Sequence, residues 1–449
     1  MAYRYAVLGG GVLGLTTALR LAQQGHAVTV FEREPLAGGL AAGFRVNAPP
    51  SEQAVVAAGA DEVWLDKFYH HIFKSDRAII GLIEELGLGD QLDWRRPLTV
   101  TLRGGKVHQL DSPSSVLRFT PLSLAARLRL GAVLAYLRLL PSPKALEGKT
   151  AAAWLRRTMG RSAYETVWAP LLKGKFGALA DQIALPWFWA RVHDRTAQLG
   201  YVHGGFQRLY NRLAERIGEQ GGSVLLGTNV QSVARDDGAG EGAGDWTVRY
   251  ASVATPDAVQ SQTFDRVVST LPTRLTCRLV AELPADYRAK YEWGTAYGAH
   301  CLILSLDRQV TNSYWMNVND PGYPFMVYVE HTNYMPKADY DGQTLVYLGN
   351  YRPMDDPLFQ ASKEQVLADF LPQVQRINPA FRPEWVRRSW MFSAPFAQPI
   401  VTNDYRQHIP PLDTPLAGLY VANMFQVYPH DRGQNYSVEL AERLVKHLR

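Results

Sequence analysis

The apolar run at 5–8 leads into Gly9, Gly10 and Gly11, after which Leu13, Ala18, Leu19 and Leu21 recur at helical spacing until Gly25. A second apolar run at 27–31 closes on Glu32, so the opening pattern predicts strand, tight turn, helix and parallel strand. The stretch 67–73 (KFYHHIF) predicts a strand. Ser75 then predicts the cap of a helix over 76–86, with Ile79, Ile80, Leu82, Ile83 and Leu86 on its buried side and Gly87 as its stop. A hairpin over 98–110 turns on Gly104 and Gly105, and helical periodicity runs from 113 to about 177. From 201–205 a helix opens with Leu209, Leu213 and Ile217 inside, ending at Gly221 and Gly222 before a strand at 223–226. Antiparallel strands at 230–233 and 246–250 and a strand at 264–270 come next. Strands at 301–306, 325–330 and 345–350, a helix at 362–377, a strand at 418–422 and a final helix at 436–448 complete the chain.

The first thirty-two residues carry chemistry. Gly9 and Gly11 allow a tight turn and close approach of backbone to a pyrophosphate, Gly14 lets the helix pack on the strand, and the helix N-terminus presents free N–H groups to an anion. Glu32 is placed to accept from ribose hydroxyls, and a carboxylate there suits FAD or NAD and disfavours the extra phosphate of NADP. Gly38, Gly39 and Leu40 follow where a simple dehydrogenase would start its next helix, which points to the FAD type of this fold. The glycine-rich run at 238–244 lacks the helix a phosphate turn requires, because a strand follows it.

The order of elements predicts an α/β protein, an FAD-binding Rossmann-like domain with a discontinuous α+β substrate domain. The first is assembled from 1–75, 200–275 and 395–449, the second from 76–199 and 276–394 with a helical insertion at about 113–177.

Composition narrows the reading. With 449 residues, 47% apolar and 20% charged, the chain can bury two or three cores, and no apolar stretch reaches membrane-spanning length before an arginine interrupts it. The start leads straight into the first strand, so no signal peptide is read and a cytoplasmic location is expected. The two cysteines, Cys277 and Cys301, form no metal or redox motif, and no metal-ligand spacing occurs. A net charge of +5 without a basic and aromatic motif gives no reason to expect nucleic acid. Arg118, Arg127, Arg129 and Arg138 punctuate the apolar segment 116–140, which reads either as a helical pair with a solvated basic edge or as a contact for anionic lipid or substrate.

These features together resemble the FAD-dependent amine oxidase superfamily, closest to its bacterial protoporphyrinogen oxidase and phytoene or squalene desaturase branch. The resemblance rests on the N-terminal fingerprint with Gly38 and Gly39, the strands at 222–233, Ser269 to Pro272 and the closing 418–423. Within the superfamily, WAPLLKGKFG at 168–177 and GGFQRL at 204–209 carry it. It implies noncovalent FAD held by Gly9, Gly11, Val12, Leu13 and Gly14 at the pyrophosphate, Glu32 with Arg33 at the ribose, and backbone at Gly38, Gly39 and Leu40 along the cofactor. Val230 would face the adenine. Asn423, standing where many relatives carry an acid, would reach the ribityl chain. Arg432, with His430 and Asp431, would close the isoalloxazine end, and Asn435 and Tyr436 would open the helix facing the flavin.

The same resemblance implies hydride removal from an apolar or amine-type small molecule. His70 and His71 are expected near the flavin, one facing it if they alternate along a strand, and Lys175 or Lys173 is expected to reach the site. His70 to Phe73 also resemble the histidine segment of UDP-galactopyranose mutases, so a flavin-dependent nucleotide-sugar mutase is the alternative. Aromatic residues such as Trp187, Trp189, Tyr201, Trp315 and Tyr347 suit either an apolar pocket or plain core. Only one dinucleotide fingerprint occurs, which leaves the electron acceptor open among oxygen, a quinone or another carrier. An apolar substrate would also allow a peripheral place on the inner membrane face.

Overall fold

A computed structural model of the chain describes residues 1–48, 63–235 and 245–449; the predicted glycine-rich loop at 238–244 lies outside the described residues. At its centre is a five-stranded, all-parallel sheet in the order Ser223–Leu225, Ala27–Phe31, Arg4–Leu8, Arg266–Ser269, Leu419–Val421. Its strands are short apolar runs because both faces are covered. Along the first strand, Tyr5 and Val7 point into the core shared with the helices Val12–Gln23, Gln207–Glu219 and Gln434–His447. Ala6 and Leu8 point the other way, into a core with Phe31, Trp246, Val248 and Phe264. That second face is covered by an antiparallel sheet of Thr228–Arg235, Trp246–Ser252 and Thr255–Phe264.

A seven-stranded mixed sheet forms the other large unit, in the order Val386–Pro399, Ala296–Leu306, Thr344–Arg352, Val327–Glu330, Trp315–Val318, Thr99–Arg103, Lys106–Gln109. Every pairing in it is antiparallel except that of Trp315–Val318 with Thr99–Arg103. A third body is helical: Pro113–Arg118, Leu124–Leu139, Ala151–Met159, Ala169–Phe176 and Leu185–His193 surround Leu130, Leu137, Leu155, Trp187 and Phe188.

Several expectations need correction. Of the strand expected over 67–73 only Ile72–Phe73 forms; residues 67–71 bend away from the preceding strand, Trp64–Asp66. The Lys67 N–H donates to the Ala42 carbonyl at 3.1 Å, the last rung of the pairing between Gly43–Arg45 and Trp64–Asp66, after which the chain bends, so alternation along a strand does not set where His70 and His71 point. Ser75 does not cap the next helix. Asp76 stands at the N-cap of Arg77–Glu85, its carboxylate accepting from Phe73 N–H at 2.8 Å. Helical structure continues past 177 to His193, since Gly177 turns the chain at φ 51° and Pro186 starts another helix in its first turn. The strand Thr255–Phe264 escaped the pattern because nine of its ten residues are exposed and mostly polar. What was read as one strand over 264–270 divides at Asp265, whose carboxylate pairs with Arg4 at 2.7 Å. A strand, Leu199–Val202, precedes the glycines at 204–205, and the last helix starts two residues early, at Gln434.

Candidate functional site

The turn after the first strand is built for an anion. Gly9 takes φ 107°, and a Cβ on Gly14 would stand 1.9 Å from the Gly9 carbonyl oxygen, so the helix can start this close to the strand only with glycine there. Gly11 differs: its φ is −73°, and a Cβ would project into a cradle where the nearest atom is Gly39 Cα at 4.0 Å. The helix Val12–Gln23 begins on Gly11 with no side-chain cap and no acid in its first turn, leaving the N–H groups around Val12, Leu13 and Gly14 to an outside acceptor. A pyrophosphate fits this donor set.

Glu32 ends the second strand with its carboxylate buried, accepting from Gly10 N–H at 2.6 Å and Glu34 N–H at 2.8 Å. Burial raises its pKa, and the two backbone donors work against that. The lone pairs left over suit ribose hydroxyls. Arg33 is exposed. Gly38 donates to the Gly10 carbonyl at 2.8 Å, and a Cβ on it would strike the Tyr210 ring at 2.4 Å, so the second glycine pair is locked against the first turn. Leu40 packs on the cluster of Ala299, Ala394 and Ala397, as Tyr351 does. Val230 sits immediately before an irregularity in its strand's register, among the partly buried residues of the second core.

At the other end, the helix Gln434–His447 starts on Gly433, again with no side-chain cap and no acid in its first turn. Gln434 has a buried side-chain nitrogen with no hydrogen-bond partner, while its carbonyl accepts from Tyr210 Oη at 2.8 Å. An orphaned donor at an uncapped helix start fits the carbonyl-rich edge of a flavin. Two expected ligands use their side chains otherwise. Asn435 caps the helix Arg77–Glu85, accepting from Ala78 N–H at 2.9 Å and Ile79 N–H at 3.2 Å, so backbone is what it can offer. Asn423 donates to the Leu271 carbonyl and Thr273 Oγ1, both at 3.1 Å, and accepts from Phe425 N–H at 3.0 Å. It ties the chain after the last strand to the chain after the fourth.

Before that last helix lies a cluster of charge. Asp431 accepts from Lys175 Nζ at 2.6 Å, Arg191 at 2.7 Å and Gln398 at 3.3 Å. Arg432 lies 4.7 Å over the Tyr351 ring and bonds the Tyr351 hydroxyl and the Ala397 carbonyl. Burial alone would raise the Asp431 pKa, but Lys175, Arg191 and Arg432 pull it well below the carboxylate range. Burial drives Lys175 well below its ordinary value, and Arg191 and Arg432 add to this against the pull of Asp431. Asp431 is the ion, with three cations competing for it, and Lys175 is the cation that gives up its proton most easily. Arg195, two residues past the helix Leu185–His193, is exposed and lies 5.7 Å over the Phe73 ring, and among the described residues no carboxylate pairs with it.

His70 and His71 meet this cluster from the bend. Burial, then Arg432, lowers His70 to about 4; burial, then Arg195, lowers His71 to about 3, so both rings are neutral near pH 7. His71 Nδ1 lies 3.2 Å from Tyr314 Oη, with its ring edge-on to Trp315. Tyr69 stands edge-on to Trp315 and Tyr347. Tyr436 turns its hydroxyl to Asp194 at 2.9 Å and stacks on His430, whose Nδ1 lies 2.8 Å from the same carboxylate. Lys173 is exposed on the opposite side of its helix from Lys175 and stays out. Arg191, Arg195, Tyr351 and Gln398 were not singled out from the sequence. The arginine pair four residues apart was the one local signal; the other two arrive from distant strands.

The sequence profile of the family Flavin containing amine oxidoreductase matches residues 14–430. No curated protein matches the chain in sequence. Among solved structures, the chain is similar to a candidate protoporphyrinogen oxidase from Exiguobacterium sp. 255-15, at 18% identity and TM-score 0.74, covering 100% of this chain and 99% of that one. It is similar to a reduced UDP-galactopyranose mutase, at 13% identity and TM-score 0.75, covering 100% and 95%. It is also similar to cyclohexylamine oxidase from Brevibacterium oxydans IH-35A, at 16% identity and TM-score 0.70, covering 100% of both chains.

Proposed function

The chain belongs to the flavin containing amine oxidoreductase family and is a flavin-dependent enzyme with FAD as its cofactor, and from that premise we propose a specific reaction class. The protein removes hydride from a small molecule that pairs an apolar body with an anionic group. FAD, when bound, supplies the two-electron oxidation of a carbon–hydrogen bond. The chain's residues do the rest. The first helix N-terminus holds the pyrophosphate, Glu32 the ribose, and the last helix N-terminus with Arg432 sets positive potential where negative charge collects. Tyr69, Trp315 and Tyr347 wall off water. Lys175, neutral when its proton is lost, accepts at Nζ the proton that the substrate releases with the hydride.

The observation that carries the substrate class is the excess of cations: Lys175, Arg191 and Arg432 stand at Asp431 with Arg195 nearby, four cations against the carboxylates of Asp431 and Asp194. At an effective dielectric of ~20, one uncompensated charge about 6 Å away changes the binding of a charged group by about 3 kcal/mol, against an ammonium and in favour of a carboxylate or phosphate. This speaks against the amine-type substrate that the family name suggests. The same cluster also suits a nucleotide-sugar diphosphate, which supports a mutase as the second reading.

Anaerobic mixing of the flavoprotein with porphyrinogens, polyene acids and, for comparison, primary amines tests the order. Bleaching of the flavin by an anionic donor and not by an amine is expected. Bleaching by amines alone overturns the substrate class, and catalytic isomerisation of UDP-galactose by the dithionite-reduced protein overturns the reaction class.

A further inference from the structure

The helical body carries a surface that the chemistry above does not use. Residues 112–146 contain Arg118, Arg127, Arg129, Arg138 and Lys144 and no aspartate or glutamate. Within them the helix Leu124–Leu139 buries Leu130 and Leu137 and exposes Leu124 at 61%, Leu128 at 56%, Tyr136 at 49% and Leu139 at 80%. Steps of about three and four residues align these on one face. Leu117, on the preceding short helix, is 47% exposed beside them in sequence. Among the described residues, five of the eleven exposed large hydrophobics fall within 117–139, so the exposure is concentrated.

The arginines fix the arrangement without losing their charge. Arg127 donates to the Leu122 and Leu117 carbonyls, Arg129 to Thr158 and Arg157, and Arg138 to Val192, His193 and Arg195. Their partners are carbonyls, which orient a guanidinium but do not cancel it. The result is an apolar stripe in a positive field. A second copy of the chain is a poor occupant, because a two-fold contact would set this acid-free segment against itself. We propose that the helix Leu124–Leu139 rests on an anionic lipid bilayer, its leucines in the interface and its cations among the headgroups. Arg138 holds the carbonyls at the end of the helix that carries Arg191, and that of Arg195 itself, so the docked helix and the cationic end of the site are braced to one another.

Co-sedimentation of the flavin-loaded protein with vesicles tests this. Vesicles of phosphatidylcholine with one third phosphatidylglycerol are expected to pellet the protein at low salt at least fivefold more than phosphatidylcholine alone, with release in high salt. The pair Leu128→Glu and Leu139→Glu, both on exposed positions, is expected to abolish pelleting while flavin absorbance and the melting temperature hold. Arg118→Gln with Lys144→Gln is expected to weaken it severalfold by charge alone. Equal binding to neutral vesicles, no binding at low salt, or full binding by the leucine pair overturns the proposal. So does a dimer in sedimentation equilibrium that the leucine pair dissociates.

Discussion

Asp431 and Lys175 show how much one carboxylate can organise. Asp431→Asn would leave Lys175, Arg191 and Arg432 enclosed without their counter-charge, and breaking a buried pair in this way costs about 3–5 kcal/mol. Urea denaturation of the flavin-loaded variant is expected to read a loss of that size; a change below about 1 kcal/mol would mean the cations are solvated. Lys175→Arg keeps a charge beside Asp431 and removes the proton acceptor. The rate with the wild type is expected to rise with pH through a value below the ordinary lysine range, and Lys175→Arg to flatten that rise and lower kcat by about 10²–10⁴-fold. The histidines give a stability signature of their own. His70 and His71 titrate at about 4 and about 3 in the folded chain against about 6.5 when unfolded, so above 6.5 both states bind the same number of protons. As pH falls below 6.5 the unfolded state gains protons that the native state refuses, and stability drops by about 1.4 kcal/mol per histidine per pH unit until the folded values are reached. Thermal melts of wild type and His71→Phe between pH 7 and pH 5 are expected to diverge in slope accordingly.

At the scale of elements, the two glycines of the first turn separate folding from binding. Gly14→Ala puts a methyl 1.9 Å from the Gly9 oxygen and should spoil the strand–helix joint itself, with a lowered melting temperature. Gly11→Ala meets no protein atom closer than 4.0 Å at ordinary backbone angles and should leave the apoprotein folded while FAD binding falls by at least tenfold. Absorbance of bound flavin set against circular dichroism distinguishes the two; loss of fold in both variants would contradict the cradle. This turn was legible in the sequence because all its determinants lie within thirty-two residues, and the hairpin at 98–110 and the helix at 362–377 were legible for the same reason. The strand Thr255–Phe264 was not: its stability comes from pairing with Trp246–Ser252, and its exposed polar side chains leave no alternation to read. Nor were the side chains of Asn423 and Asn435, whose distant partners Thr273 and Ala78 lie 150 and 357 residues away in sequence. The loop around Asp431 was recognised as closing the site, but the strand residues Tyr351 and Gln398 that complete the cluster come together only when the mixed sheet forms.

On the scale of the whole molecule, the central sheet joins three separate stretches of chain: residues 4–31, then 223–269, then 419–421. The residues expected around FAD follow the same division, with the first turn and Glu32 from the first stretch, Val230 from the second, and the loop 430–432 with the last helix from the third. A ligand that touches all three stabilises only the folded chain, in which they are together. Saturation at 100 times its dissociation constant therefore adds about 2.7 kcal/mol to the unfolding free energy. For a chain of this size that is a rise of a few degrees in melting temperature, growing with FAD concentration. Noncovalent attachment is also expected, since both cysteines are buried in cores, Cys277 among Phe31 and Trp246 and Cys301 in the strand Ala296–Leu306. Acid precipitation should then leave a yellow supernatant and a colourless pellet, and melts of the stripped protein should climb as FAD is restored. A yellow pellet would refute noncovalent binding. A melting temperature indifferent to FAD would mean that the cofactor does not bridge the three stretches.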